Sequence, residues 1–333
     1  MQIGQFSVVR VIIAIVFFTS TCPAFASVSG LSWDQELDSS TLQKLQTKTG
    51  LRIFWWNVHD GQAVLGASDA SFNNNIDQLI HSELAPDILA VAEFQNSDLK
   101  PDVLAEMNRL YPNHVLQPYT TSSPYGIAVY SKSPFEVKSM DLLDFSPLGD
   151  LSAADRETYR KSWCASPGMC DRPLMILDLK IKGKDFKLVP VHLYDCWRLM
   201  AQNVGKVETL KQILHGTDNP LWYQILRFRA ALEARLGAEL LKGNVVMVGD
   251  FNMPKVILGF KTLGFGKISS GLVDELAENE PTFPSADSIE ASSFLPMQID
   301  HGFVSAPLFS NENMGEVLQL KGSDHYPFYL ILQ

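Results

Sequence analysis

The chain has 333 residues, 46% of them hydrophobic and 19% charged, which excludes a disordered or low-complexity protein and provides for one large core or two average ones. Its 37 acids against 27 bases leave a net charge of −10, which argues against a protein that grips nucleic acid through a basic face. It does not exclude an enzyme acting on phosphates, because a divalent cation held by carboxylates inverts the local field.

At the N-terminus, Arg10 precedes the apolar run Val11 to Phe18, then Thr19 to Pro23 and the small-x-small triplet Ala24-Phe25-Ala26. The run is too short to span a bilayer and has the layout of a secretory signal cut after Ala26; the alternative is an uncut anchor. Residues 1–26 are therefore expected to leave, and the mature protein to be secreted or periplasmic. Their loss removes Arg10 and no acid, making the remainder one charge more negative. Residues 27–50 read as a lead-in and 51–333 as one domain, with no internal repeat and no long Pro/Gly/Ser linker. In an oxidising compartment Cys164 and Cys170 are expected to bridge, leaving Cys196 over.

Short apolar runs predict buried strands at Arg52–Val58, Ile88–Ala92, Gly126–Tyr130, Leu174–Ile181, Phe186–His192, Asn244–Val248, Ile299–Val304 and Tyr326–Leu332. Spaced apolar residues predict helices at Asn75–Glu83, Asp102–Leu110 and Leu221–Leu241. Alternation of this kind implies a layered α/β protein. Ser139 to Cys170 reads as a long loop. Tyr194 to Leu241, with Trp197, Arg198, Trp222, Tyr223, Arg227 and Arg229, reads either as a core-packing helical segment or as a substrate-selecting one.

Polar side chains gather where these strands end: Asn57, Glu93, His192, Asp250 with Asn252, Asp300, and Asp324 with His325. Each alone could be a turn or cap residue. Together, at strand ends that share one rim, they supply acids, amides and histidines to a single pocket. Oxygen-rich donors without sulfur suit Mg²⁺ or Mn²⁺. A zinc site would have only His192 and Cys196 at ligand spacing.

Five stretches carry a resemblance: "AEFQN" at Glu93, "VPVHL" at His192, "VGDFN" at Asp250 and Asn252, "IDHGFVS" at Asp300, and "SDHYP" at Asp324 and His325. In this order the chain resembles the endonuclease/exonuclease/phosphatase superfamily typified by deoxyribonuclease I, over roughly Leu51 to Leu332. The resemblance implies a four-layer α/β/β/α sandwich with two mixed β-sheets and a divalent-metal-dependent phosphodiesterase. It implies Glu93 as main metal ligand, with Asn57 and Asp324 close to the ion. Asp250 would orient or deprotonate the attacking water, Asn252 hold a phosphate oxygen, Asp300 orient His325, and His192 and His325 face the phosphate from two sides.

The expected substrate is a phosphodiester, DNA or RNA first. The alternatives are a sphingomyelinase-type phospholipid phosphodiesterase and an inositol or nucleotide phosphatase. The inositol-phosphatase pattern of Trp and Arg around "GDFN" is absent, and "MCDRPL" at Met169–Leu174 lies before His192 instead of near Asp300. A monomer is expected.

Overall fold

β-Branched and aliphatic runs of five to nine residues form most of the strands, and their alternation decides which layer each side chain enters. In this computed structural model the residues described are 37, 39–58, 69–119, 123, 125–142, 172–195, 206–215, 220–257, 260–276, 280–284, 296–320 and 323–333. The signal segment, Cys164, Cys170, Cys196, Trp197, Arg198 and the part of the Ser139–Cys170 stretch beyond Leu142 lie outside the described residues.

The chain begins with α1 (Ser39–Thr47), β1 (Leu51–Asn57), α2 (Asp69–His81), β2 (Ile88–Phe94), α3 (Pro101–Leu110), β3 (Asn113–Pro118), β4 (Gly126–Ser131) and β5 (Phe135–Leu142). It continues through β6 (Pro173–Ile181), β7 (Lys184–His192), α4 (Lys206–His215), α5 (Pro220–Leu236), α6 (Glu239–Lys242) and β8 (Val245–Asp250). The last part holds β9 (Val256–Ile257), β10 (Phe260–Lys261), α7 (Leu263–Ile268), β11 (Leu272–Asp274), β12 (Asp300–Ser305), β13 (Met314–Val317) and β14 (Phe328–Leu332).

Two six-stranded sheets result, one in the order β13-β14-β1-β2-β4-β3 and the other β11-β12-β8-β7-β6-β5. Both are mixed. The β1–β2 and β7–β8 pairs are parallel, and the remaining neighbours within the two sheets are antiparallel. Successive side chains of a strand face opposite ways. Leu51, Ile53 and Trp55 of β1 accordingly join Leu177, Leu188, Val246 and Val248 of the second sheet in the inter-sheet core. Phe54 and Trp56 turn outward onto Leu45 of α1, Phe72, Ile76 and Leu79 of α2 and Met107 of α3. On the far side Val245 and Met247 meet Ile213, Ile225, Phe228, Leu232 and Phe265 from the second group of helices. The order of layers is thus helix, sheet, sheet, helix, and burial of both strand faces explains the near-continuous apolar runs.

The sequence-based bounds shift in several places, the helix expected at Asn75–Glu83 beginning earlier, at Asp69, among them. β5 takes in Ser139–Leu142, so the expected loop starts later. The predicted Leu221–Leu241 helix divides into α5 and α6, where Gly237 adopts φ 53° and its N–H closes on Glu233 O. The edge strands β3 and β13 went unpredicted because their side chains are largely half-buried and their sequences mixed.

Arg227 and Arg229 are both buried. Arg229 donates through Nη1 to Ile268 O at 3.0 Å and through Nε to Glu233 Oε1 at 2.7 Å. Arg229 therefore fastens α5 to the end of α7, which corrects the expectation that it could select a substrate. Gln224 of α5 clasps both backbone groups of Tyr194, at 3.0 Å each, which fixes the chain just after His192.

Gly249 of β8 pairs with Val191 of β7. A Cβ there would meet Val191 O at 2.0 Å and its carbonyl carbon at 2.7 Å. Both are backbone atoms and cannot swing aside. Gly249→Ala is expected to lower stability by about 3 kcal/mol, since the strands must part. Denaturant unfolding measures this, and a variant as stable as the parent would refute so tight an approach.

Candidate active site

Parallel pairing sends the C-terminal ends of β1, β2, β7 and β8 to one rim. In register, Asn57 lies beside Ala92 and His192 beside Asp250, while Asp250 also faces Asp300 across the antiparallel β8–β12 pair. Because β14 runs antiparallel to β1, the Ser323–His325 segment before it arrives at the same end. All eight residues singled out from the sequence stand on or next to these strand ends.

Two of them adopt backbone conformations that ordinary side chains avoid. Glu93 has φ 54° at a register shift between Ala92 and Phe94, and Asn252 has φ 47°. Asn tolerates the left-handed region, but for Glu it costs roughly 1 kcal/mol or more, and such strain tends to collect at functional sites. The bulge turns the Glu93 N–H away from the ladder, and it donates instead to the Tyr119 hydroxyl at 2.7 Å. The turn at Asn252 is tied back on itself. Its N–H donates to Asp250 Oδ1 at 2.7 Å and its Nδ2 to Leu193 O at 2.8 Å.

The centre of the arrangement is Asp250 Oδ2. Asn57 Nδ2 donates to it at 3.0 Å, and the Nε2 atoms of His192 and His325 each stand 3.7 Å away. Burial pushes the Asp250 carboxyl well above its ordinary range, the nearby Asp300 charge adds to this, and His325, the Asn252 N–H and Asn57 oppose it.

The two histidines are driven apart. For His325, burial favours the neutral ring, but Asp300 and Asp250 outweigh it and hold the group well above its usual value. His325 Nδ1 and Asp300 Oδ2 are 2.8 Å apart, a charge-assisted pair. Burial, then the Arg172 guanidinium and then His325 push His192 well below its usual value. The two rings are thus pushed in opposite directions, the kind of separation that divides acid from base in hydrolytic sites.

Several supports gave no signal in the sequence. Adjacent tryptophans grip the Asp300–His325 pair from opposite faces of β1: Trp55 Nε1 donates to Asp300 Oδ1 at 3.0 Å, and Trp56 Nε1 to His325 O at 3.1 Å. Thr282 Oγ1 accepts the N–H groups of Ile299 and Asp300, at 3.0 Å each. Ser323 Oγ donates to Asn57 O at 2.6 Å and accepts the His325 N–H at 3.2 Å, pinning the last segment to β1. The Phe283 ring lies 4.9 Å from that of His325.

The donors fit a hard divalent cation. Glu93 is the more open acid, its side chain 22% exposed, with Oε1 at 3.4 Å from Asn57 Nδ2 and 3.3 Å from His192 Nε2. Asp324 is buried, its Oδ1 4.0 Å from His325 Nε2. Among the described residues, Asp250, Asp300 and His325 form a group whose ligand atoms lie within 4.8 Å of one another. The close Asp300–His325 hydrogen bond accounts for that proximity, so Glu93, with oxygen donors and partial access, better suits a cation that keeps waters and takes up substrate.

The sequence matches the Endonuclease/Exonuclease/phosphatase family over residues 54–325. The chain belongs to that family. It is accordingly a metal-dependent phosphoric ester hydrolase, and its two mixed sheets with flanking helices form the deoxyribonuclease I-like sandwich. No curated protein matches the sequence. Among solved structures it is similar to an endonuclease/exonuclease/phosphatase family protein from Bacteroides thetaiotaomicron, at 16% identity and TM-score 0.52, covering 85% of this chain and 98% of the other. It is also similar to sphingomyelinase C from Streptomyces griseocarneus (12% identity, TM-score 0.53, covering 86% and 100%). A third is beta toxin from Staphylococcus aureus (16% identity, TM-score 0.54, covering 85% and 100%).

The Asp300–His325 pair makes a pH prediction. If protonated His325 is required, activity falls as pH rises through its raised pKa. Asp300→Asn removes the main charge that raises it, so the alkaline limb of the kcat/KM profile moves to lower pH, with kcat down on the order of 100-fold or more. A variant whose alkaline limb stays in place would separate the limb from His325.

Proposed function

We propose that this chain is an exported, Mg²⁺-dependent phosphodiesterase acting first on nucleic acid, with Mn²⁺ as a second competent ion. Export is read from residues 1–26 alone. The observation that carries the reading is the placement of two imidazole Nε2 atoms, each 3.7 Å from one buried carboxylate oxygen, with the pKa of one ring pushed up and that of the other pushed down. Glu93, Asn57 and Asp324 would hold the cation, which when bound supplies charge neutralisation at the phosphate.

The remaining roles belong to the chain's own groups. Asp250, held by Asn57 and the Asn252 N–H, orients the attacking water and takes its proton, for which a raised pKa is an advantage. His325 offers its Nε2 proton to the charge that develops on phosphorus oxygens or to the leaving oxygen, and Asp300 compensates the imidazolium. His192 donates a hydrogen bond without carrying charge. Asn252 already spends one amide hydrogen on Leu193 O, so its contribution to a phosphate oxygen rests on the other.

A panel of plasmid DNA, RNA, sphingomyelin, an inositol phosphate and a nucleotide, with and without Mg²⁺, tests the reading. Nucleic acid is expected to be cleaved best and only with metal. Asp250→Asn and His325→Ala should each lower kcat by on the order of 1,000-fold without unfolding the protein, and Glu93→Gln should raise the Mg²⁺ concentration for half activity. Preference for sphingomyelin would replace the substrate, and Asp250→Asn at near-parental rates would overturn the assignment.

A further inference from the structure

Tyr119 follows β3, is buried, and has no place in the roles above. Its hydroxyl nevertheless touches both sides of the site. It accepts the Glu93 N–H at 2.7 Å and is hydrogen-bonded to His192 Nδ1. A phenol is protonated at neutral pH and has a single proton to give. The Glu93 N–H occupies one lone pair of the oxygen, and His192 Nδ1 is the acceptor within reach of the hydroxyl proton. Donation to Nδ1 leaves the imidazole proton on Nε2, the nitrogen 3.3 Å from Glu93 Oε1 and 3.7 Å from Asp250 Oδ2.

We propose that Tyr119 is a positioning residue of this hydrolase: its hydroxyl locks His192 in the Nε2-protonated tautomer and, through the same oxygen, holds the left-handed backbone of Glu93. The inference rests on the phosphodiesterase reading, in which His192 serves the substrate. A carboxylate in this position would orient the ring equally well but would stabilise the imidazolium. A neutral phenol orients it without adding charge, so the ring presents a fixed Nε2–H toward Glu93 and Asp250. The ring has its own support. The Arg172 guanidinium carbon lies 4.1 Å from the centroid of Tyr119 and 5.4 Å from that of Tyr194, and the Arg172 Nε is buried without a hydrogen-bond partner. Cation–π contact with the two faces is what holds it there. The Tyr119 and His192 rings meet edge-on at 5.1 Å. Arg172, Tyr119, His192 and Glu93 therefore form a chain of contacts from the start of β6 to the bulge of β2.

The test is the tautomer itself, read from two-bond ¹H–¹⁵N spectra of the metal-free protein labelled at histidine, with the His192 signals identified by their loss in His192→Ala. The parent should show a protonated Nε2 and a bare Nδ1. Tyr119→Phe keeps the ring that Arg172 covers but removes the hydroxyl, so its His192 should become a mixture of tautomers. On the best substrate of the panel its kcat should fall on the order of 10-fold with little change in KM. A parent spectrum with the proton on Nδ1 overturns the proposal without any variant, as does a Tyr119→Phe spectrum identical to the parent's, whatever its rate. The expected spectra in a protein inactive on every panel substrate would support the geometry and remove the phosphodiesterase reading instead.

Discussion

A carboxylate without solvent, Asp250, sets the terms for the rest of the structure. Stripping water from an anion costs several kcal/mol even after relaxation, and the cost returns only through well-placed partners. Here they come from three directions: an amide from β1, the backbone of its own turn, and two imidazoles from separate strand ends. None of these groups is near Asp250 in sequence apart from Asn252. The two sheets must therefore pack face to face, with β1 beside β8, before the charge can be satisfied.

That dependence explains where the polar supports lie. Trp55 sits in the inter-sheet core, yet it spends its indole N–H on Asp300, while its neighbour Trp56 reaches His325 O from the helix-facing side. Large aromatic side chains bury much area and carry one donor each, so they can anchor a core and aim an acid together. The same economy of placement recurs at Thr282 and Ser323, where a single hydroxyl serves two backbone groups. A second buried cluster lies behind the turn: His301 contacts Met253 O and Asp274, and Lys255 joins the same carboxylate. It braces the segment that follows Asp250 through Met253 O.

Much of this was legible in the sequence because two-sided burial writes long apolar runs, and because the acids, amides and histidines stand directly where those runs stop. Asn57, Glu93, His192, Asp250, Asp300 and His325 could be picked out on that ground, and the structure gathers Asn57, His192 and His325 at one Asp250 oxygen, with Glu93 joined through Asn57 and His192 and Asp300 through His325. Tyr119 could not, because it follows an edge strand with a mixed sequence and its partners lie 26 and 73 residues away. Arg229 misled for the opposite reason. Cationic side chains on a helix usually face water, but this one is consumed by a carbonyl at the end of α7. Side-chain partners across elements are set by packing, which no local spacing encodes.

The central claim is that neighbouring histidines in one pocket hold opposite protonation states. Titration of both rings by NMR in the metal-free protein tests it most directly. The account requires His325 to remain an imidazolium to a pH well above the ordinary histidine value of about 6.5, and His192 to remain neutral well below it. Two rings titrating together near the ordinary value would contradict it.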